Sequence, residues 1–124
     1  DTTVALGQTI FGKPANQAEA IGVLKTLSGS QHEVMTAIVL KGPDICETRV
    51  VVTEVTFSLL SDTQITTYCD SDEPYDKAGA YGIQGRASKF VSEINGSYTN
   101  VVGLPLAQTA TLLRKAGFVL NGDQ

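Results

Sequence analysis

The sequence predicts an α/β domain, with strands pairing into a sheet and amphipathic helices packed on it. Three observations carry this reading. Stretches rich in Val, Ile, Thr and Phe at 32–40 and 48–59 flank Gly42-Pro43-Asp44, whose residues favour a turn. Apolar residues recur at helical spacing at Ala20, Val23, Leu24 and Leu27. Finally, 124 residues with 42% hydrophobic and 18% charged side chains suit one globular unit with a buried core, so residues 1–124 are read as a single domain.

The elements follow in order. The β-branched, apolar run Thr2–Leu6 reads as a buried strand, and Gly7, Gly12 and Pro14 bound a second extended piece, Thr9–Phe11. Asn16 is placed to cap a helix starting at Gln17, and Gly29 lies just past its end. Residues 32–40 and 48–59 should then pair as a long antiparallel hairpin. Ser61-Asp62-Thr63-Gln64 has capping-box spacing, so a short helix should carry Ile65 and Tyr68 inward. A glycine-punctuated loop follows over 70–85. Residues 90–94 and 97–102 flank Asn95-Gly96, a dipeptide favoured in type I′ turns because both positions take positive φ, and this predicts a second hairpin. Pro105 suits a first helical turn, Leu106, Ala110 and Leu113 make an apolar stripe, and Gly117 ends the helix, leaving 118–124 as a frayed tail.

Bulk properties exclude several functions. A net charge of -4 argues against the broad basic surface that neutralises nucleic-acid phosphates, while leaving room for a small anionic ligand held by a few cations. No apolar run approaches the roughly 18 residues that span a bilayer, and no basic, then apolar, leader is present, so a cytoplasmic protein away from membranes is expected. Cys46 and Cys69 are far apart and form no zinc-like pattern, which makes them core or surface thiols. His32 is the only histidine and is read as a strand residue, since no partner builds a triad or zinc site around it. Metal-assisted attack by water is the hydrolytic chemistry that these absences leave.

Three places could bear chemistry. Gly7-x-x-x-x-Gly12-Lys13 approaches a phosphate-binding loop, but Pro14 stands where Ser or Thr should hold Mg²⁺ and lacks a backbone N–H. Lys13 is therefore either a phosphate ligand on a strand-end turn or a solvated lysine. Asp1, at the edge of a strand, could orient a metal or activate water, or could simply be solvated. In the segment from Asp72 to Gly85, Gly79, Gly82 and Gly85 recur every third residue, which suits either close backbone approach to a ligand or a structural turn. Gln84 among them has an amide that both donates and accepts, as reading a nucleobase edge requires. Asp70, Asp72, Glu73 and Asp76 form a solvated acidic loop in preference to a cation site, and they lack EF-hand spacing.

These residues, taken together, resemble a family. Asp72-Glu73-Pro74 with Asp76-Lys77-Ala78-Gly79-Ala80-Tyr81-Gly82-Ile83-Gln84-Gly85, then Asn95-Gly96-Ser97-Tyr98 and Val101-Val102-Gly103-Leu104-Pro105-Leu106, look like the signature of the Maf proteins, also called septum-formation inhibitors. Asp1-Thr2, Gly12-Lys13-Pro14, Leu27-Ser28-Gly29 and His32-x-Val34-x-Thr36 match in the same order. The resemblance implies an inosine-triphosphatase-like fold with a mixed, strongly twisted sheet. It also implies hydrolysis of a nucleoside triphosphate to the monophosphate and pyrophosphate with a divalent cation, Mg²⁺ or Mn²⁺. By it, Asp1 matches the proton acceptor that activates water, Lys13 a phosphate ligand, and Thr2 and Gln84 positions that set base preference. The form of the 76–85 loop is similar to the branch acting on dTTP and UTP, a house-cleaning activity on the nucleotide pool. The family's tendency to dimerise makes a homodimer the expected assembly.

The family's N-terminal Ser-x-Ser-Pro-Arg-Arg loop and its Arg-Glu-Lys-Ala helix have no counterpart here. The chain is thus expected to be the C-terminal part of a longer, N-terminally truncated Maf domain. A non-catalytic nucleotide-binding or partner-binding module linked to septum formation is the second reading.

Overall fold

The computed structural model describes residues 2–120. It has a five-stranded sheet among these residues, in the order β2-β1-β3-β4-β5, built from β1 Thr2–Leu6, β2 Thr9–Phe11, β3 Gln31–Gly42, β4 Ile45–Phe57 and β5 Val91–Asn95. Four α-helices accompany it among the described residues: α1 Gln17–Leu27, α2 Asp62–Cys69, α3 Tyr98–Val102 and α4 Leu106–Lys115. The α/β architecture is as expected, although every described strand pairing is antiparallel where a mixture was anticipated. The expectation for Asp1 lies outside the described residues, as does that for the last four residues of the 118–124 tail.

Local chemistry sets most boundaries. The Asn16 side chain accepts the Glu19 N–H at 2.9 Å and starts α1, and Gly29, at φ +65°, turns the chain just beyond its end. The apolar stripe of α1 buries Ala20, Leu24 and Leu27 completely, and each such leucine contributes roughly 2 kcal/mol of burial. The β3–β4 hairpin is longer at its turn than the β-branched runs suggest, pairing from Gln31–Thr56 to Gly42–Ile45. Ser61 and Gln64 form the reciprocal capping box, with Ser61 Oγ accepting the Gln64 N–H and Gln64 Oε1 accepting the Ser61 N–H. Ile65 and Tyr68 duly point into the core. That core joins α1 and α2 to the sheet through Leu24, Val34, Val55, Phe57, Tyr68 and Phe90.

Two expectations are corrected. Asn95-Gly96 does not close a type I′ hairpin, because residues 98–102 are the helix α3. The Ser97 side chain accepts the Asn100 N–H at 3.1 Å and caps this helix, and Gly96 serves close packing instead: a Cβ on it would lie 3.0 Å from Thr53 Oγ1 and 3.2 Å from Thr53 Cα. On α4 the residue buried against Ile38 and Val51 is Leu112, while Leu106 stays exposed, so the packed face is rotated from the 106/110/113 stripe. The helix lands on the far half of the β3–β4 hairpin, whose Ile38 and Val51 set which side is covered. No described helix is long and apolar enough to cross a membrane.

Candidate functional site

A cavity of about 790 Å³ opens where β1, the turn after β2, the loop 73–85 and α3 converge. Three of the residues singled out from the sequence line it: Thr2 from β1, Lys13 from the turn before α1, and Gln84 from the loop. Thr2 is half-buried, whereas Lys13 and Gln84 are exposed.

Close backbone packing brings the loop to this position. Gly79 sits at φ +77° directly over β1, where an added Cβ would lie 2.8 Å from Val4 Cγ1, and its N–H donates to the Gly12 carbonyl at 3.2 Å. Ala80 beside it is also left-handed, at φ +67°, and fully buried, an unusual conformation for a residue with a Cβ. At Gly79 the close approach is to the protein's own strand, which is the structural one of the two options for this segment.

The cavity's charged side chains are Lys13, Lys77, Glu73 and Asp76. Lys77 Nζ pairs with Asp76 Oδ1 at 2.9 Å, and its stem lies over Gly82, where a Cβ would be 2.6 Å from Lys77 Cε. The Lys77 hydrogen bond and charge, with a smaller contribution from Lys13, hold the Asp76 carboxyl below the usual carboxylate range. The acidic loop is therefore more engaged than a solvated run: Asp70 accepts from Gln17 Nε2 at 2.6 Å, and both Glu73 oxygens receive the Arg86 N–H, at 2.9 and 3.1 Å.

The wall behind the site is uncharged. Tyr81 lines the cavity and shares a 2.7 Å hydrogen bond with buried His32 Nε2, and the two rings and Phe57 meet edge to face at 4.8–5.4 Å. Burial raises the Tyr81 phenol above its ordinary range and lowers His32 to about 4, so both are neutral at neutral pH. His32 is a packed strand residue, as expected, and its hydrogen bond to Tyr81 could not be read from the sequence.

A polar line runs from the cavity into the sheet. Thr2 Oγ1 meets Thr36 Oγ1 at 3.0 Å, and Thr36 Oγ1 donates to the Asn100 carbonyl at 3.5 Å. The Asn100 amide, fully buried, donates to Val34 O, Val51 O and Thr53 Oγ1 at 2.9–3.1 Å. Asn100 thereby anchors α3, whose Val101 and Val102 form part of the cavity wall. Sequence reasoning missed Asn100 altogether and read Glu73 only as part of a solvated acidic loop, since their partners lie 13 to 66 positions away.

No group of three His, Cys, Asp or Glu side chains among the described residues is arranged to hold a metal. Of the cavity's carboxylates, Asp76 is the one that could help hold an ion such as Mg²⁺, which takes one or two carboxylates and draws other oxygens from substrate phosphates. Both Glu73 oxygens accept the Arg86 backbone N–H, whereas Lys77 bonds only Oδ1 of Asp76.

Residues 1–116 match the family model described as Maf-like protein. The chain is 52% identical over 120 residues to a dTTP/UTP pyrophosphatase of Bordetella avium (strain 197N), covering 97% of this chain and 60% of that protein. It is 52% identical over 119 residues to a dTTP/UTP pyrophosphatase of Colwellia psychrerythraea (strain 34H), covering 96% and 56%. A dTTP/UTP pyrophosphatase of Anaeromyxobacter dehalogenans (strain 2CP-C) is 48% identical over 130 residues, covering 100% and 66%. The chain thus spans between 56% and 66% of the length of these curated relatives.

Proposed function

This chain belongs to the Maf family, and from that premise we propose that the complete protein is a nucleoside triphosphate pyrophosphatase acting on dTTP and UTP. It would cleave between the α- and β-phosphates to give the nucleoside monophosphate and pyrophosphate. The observation that carries this reading is the meeting of Thr2, Lys13 and Gln84, from three separate segments, on one cavity of about 790 Å³. That volume falls in the range of pockets that enclose a small ligand.

Each residue has a task in this reading. Lys13 places a positive charge against the phosphates and offsets the charge that develops on the leaving pyrophosphate. The Gln84 amide donates to O4 and accepts from N3–H, the edge that uracil and thymine share, so one residue serves both bases and ignores the methyl group. Thr2, held by Thr36, lines the same cavity as the second determinant of base preference. Asp1 takes the proton of the attacking water as the water oxygen bonds to phosphorus and pyrophosphate departs. A divalent cation, Mg²⁺ or Mn²⁺, would arrive with the triphosphate, with Asp76 available as a ligand, and would supply charge neutralisation on the phosphate oxygens. A cytoplasmic homodimer clearing unwanted nucleotides completes the proposal.

The test is pyrophosphate release by the complete protein from a panel of canonical and modified triphosphates with Mg²⁺ or Mn²⁺. Release from dTTP and UTP above the other substrates is expected. Binding of dTTP without any pyrophosphate release would replace the enzyme with the non-catalytic nucleotide-binding reading.

A further inference from the structure

The turn that carries Gln84 is held at both ends, and the two holders lie outside it. At its start the Gly82 N–H donates to Tyr68 Oη at 3.4 Å, and Tyr68 is fixed in the core with its ring 5.3 Å from Phe90. At its finish the Arg86 N–H is shared between the two Glu73 oxygens. The turn closes on itself through Gly85 N–H to Gly82 O at 3.2 Å. Glu73 lies flat on Gly85, since a Cβ added there would overlap its carboxylate.

The position of Glu73 is itself set. Pro74 follows it and is fully buried, so the short helical turn Glu73–Asp76 is fastened to the core. A glycine-bounded turn left free would cost roughly 1–2 kcal/mol per residue to order when a ligand bound. Prior ordering removes that cost and confines Gln84 to one approach.

We infer that Glu73 is a positioning residue for base selectivity, acting through the Arg86 N–H and Gly85 to hold Gln84 at the cavity. This rests on the proposed role of Gln84. Glu73 touches neither base nor phosphate in this scheme, so its loss should alter the choice among bases more than the rate of phosphate chemistry. The carboxylate's role is that of an acceptor, which an amide oxygen can also fill.

The test compares Glu73→Ala, Glu73→Gln and Gln84→Ala in the complete protein by kcat/KM for dTTP, UTP and dCTP. Glu73→Ala should lower the ratio of dTTP to dCTP by about tenfold, toward the Gln84→Ala value, the scale of one charge-assisted hydrogen bond. Glu73→Gln should stay within about twofold of the parent because the Oε1 acceptor remains. Should Glu73→Ala not fold, Glu73→Asp, whose carboxylate is one methylene shorter, carries the same expectation. An unchanged ratio in the alanine or aspartate variant, or an equal fall for all three substrates, would overturn the inference, provided Gln84→Ala shifts the ratio. If Gln84→Ala shifts nothing, the reading of Gln84 fails first, and the inference with it.

Discussion

The Gly79 N–H donates to the Gly12 carbonyl oxygen at 3.2 Å, which fastens the glycine loop to the turn bearing Lys13. The bond forms only because Gly79 has no Cβ to strike Val4 and can adopt φ +77°. Gly79→Ala combines a left-handed backbone penalty of about 1–2 kcal/mol with overpacking of about 1–3 kcal/mol. A loss of about 2–5 kcal/mol in unfolding free energy is expected, read from denaturant midpoints. A change below about 0.5 kcal/mol would mean that the loop does not depend on this contact.

Burial of His32 against Phe57 and Tyr81 makes stability depend on mild acid. Its value falls from 6.5 to about 4 in the fold, so above pH 6.5 the folded and unfolded forms are both neutral and the stability is fully present. Between pH 6.5 and about 4 the unfolded chain takes up a proton that the folded one excludes, and up to about 3 kcal/mol is lost. His32→Gln keeps a polar partner for Tyr81 and removes the titration. Urea unfolding at pH 7 and pH 4.5 should show a smaller pH difference in this variant than in the parent.

Asn100 should tolerate almost no replacement. Its amide hydrogens serve two sheet carbonyls and Thr53, and Asn100→Asp would turn that nitrogen into an oxygen facing the same acceptors. Leaving buried groups unpaired, with a carboxyl among them, costs about 3 kcal/mol or more. The expected readout is a large fall in thermal midpoint, with increased protease cutting around α3; a midpoint within a degree or two of the parent would show that the anchor is dispensable.

How much was legible depended on how local each signal is. The Asn16 cap and the Ser61–Gln64 box were readable because donor and acceptor stand three residues apart. Asn95-Gly96 misled because its turn preference is also local but loses to Asn100, whose bonds reach 47 to 66 residues along the chain. Leu112 was passed over for a similar reason, since the face α4 presents is chosen by Ile38 and Val51. At the site, Thr2 came from the family resemblance alone, whereas residue chemistry singled out Lys13 and Gln84 but left the role of each open until the resemblance. The pairing of Asp76 with Lys77 and the grip of Glu73 on Arg86 depend on loop geometry that no periodicity encodes.

Lys13 lines the cavity, and the proposed function assigns it to the phosphates. Lys13→Ala should therefore lower kcat/KM for every triphosphate alike, by about 10- to 100-fold, the range for losing a charge-assisted contact to phosphate. Lys13→Arg should recover part of this. Steady-state kinetics on three bases would separate a uniform loss from a selective one, and a selective loss would move Lys13 from the phosphate end to the base end.

The most direct measurement is the ratio of kcat/KM for dTTP to that for dCTP in the complete protein, before and after Gln84→Ala. Thymine offers O4 and N3–H to the Gln84 amide, while cytosine presents an amino group and an unprotonated N3 in their place. With Gln84 as the reader, the parent prefers dTTP and the variant loses that preference by about tenfold or more, its kcat/KM for dTTP falling toward that for dCTP. A variant with the parent's ratio intact would contradict the assignment of this cavity to the base.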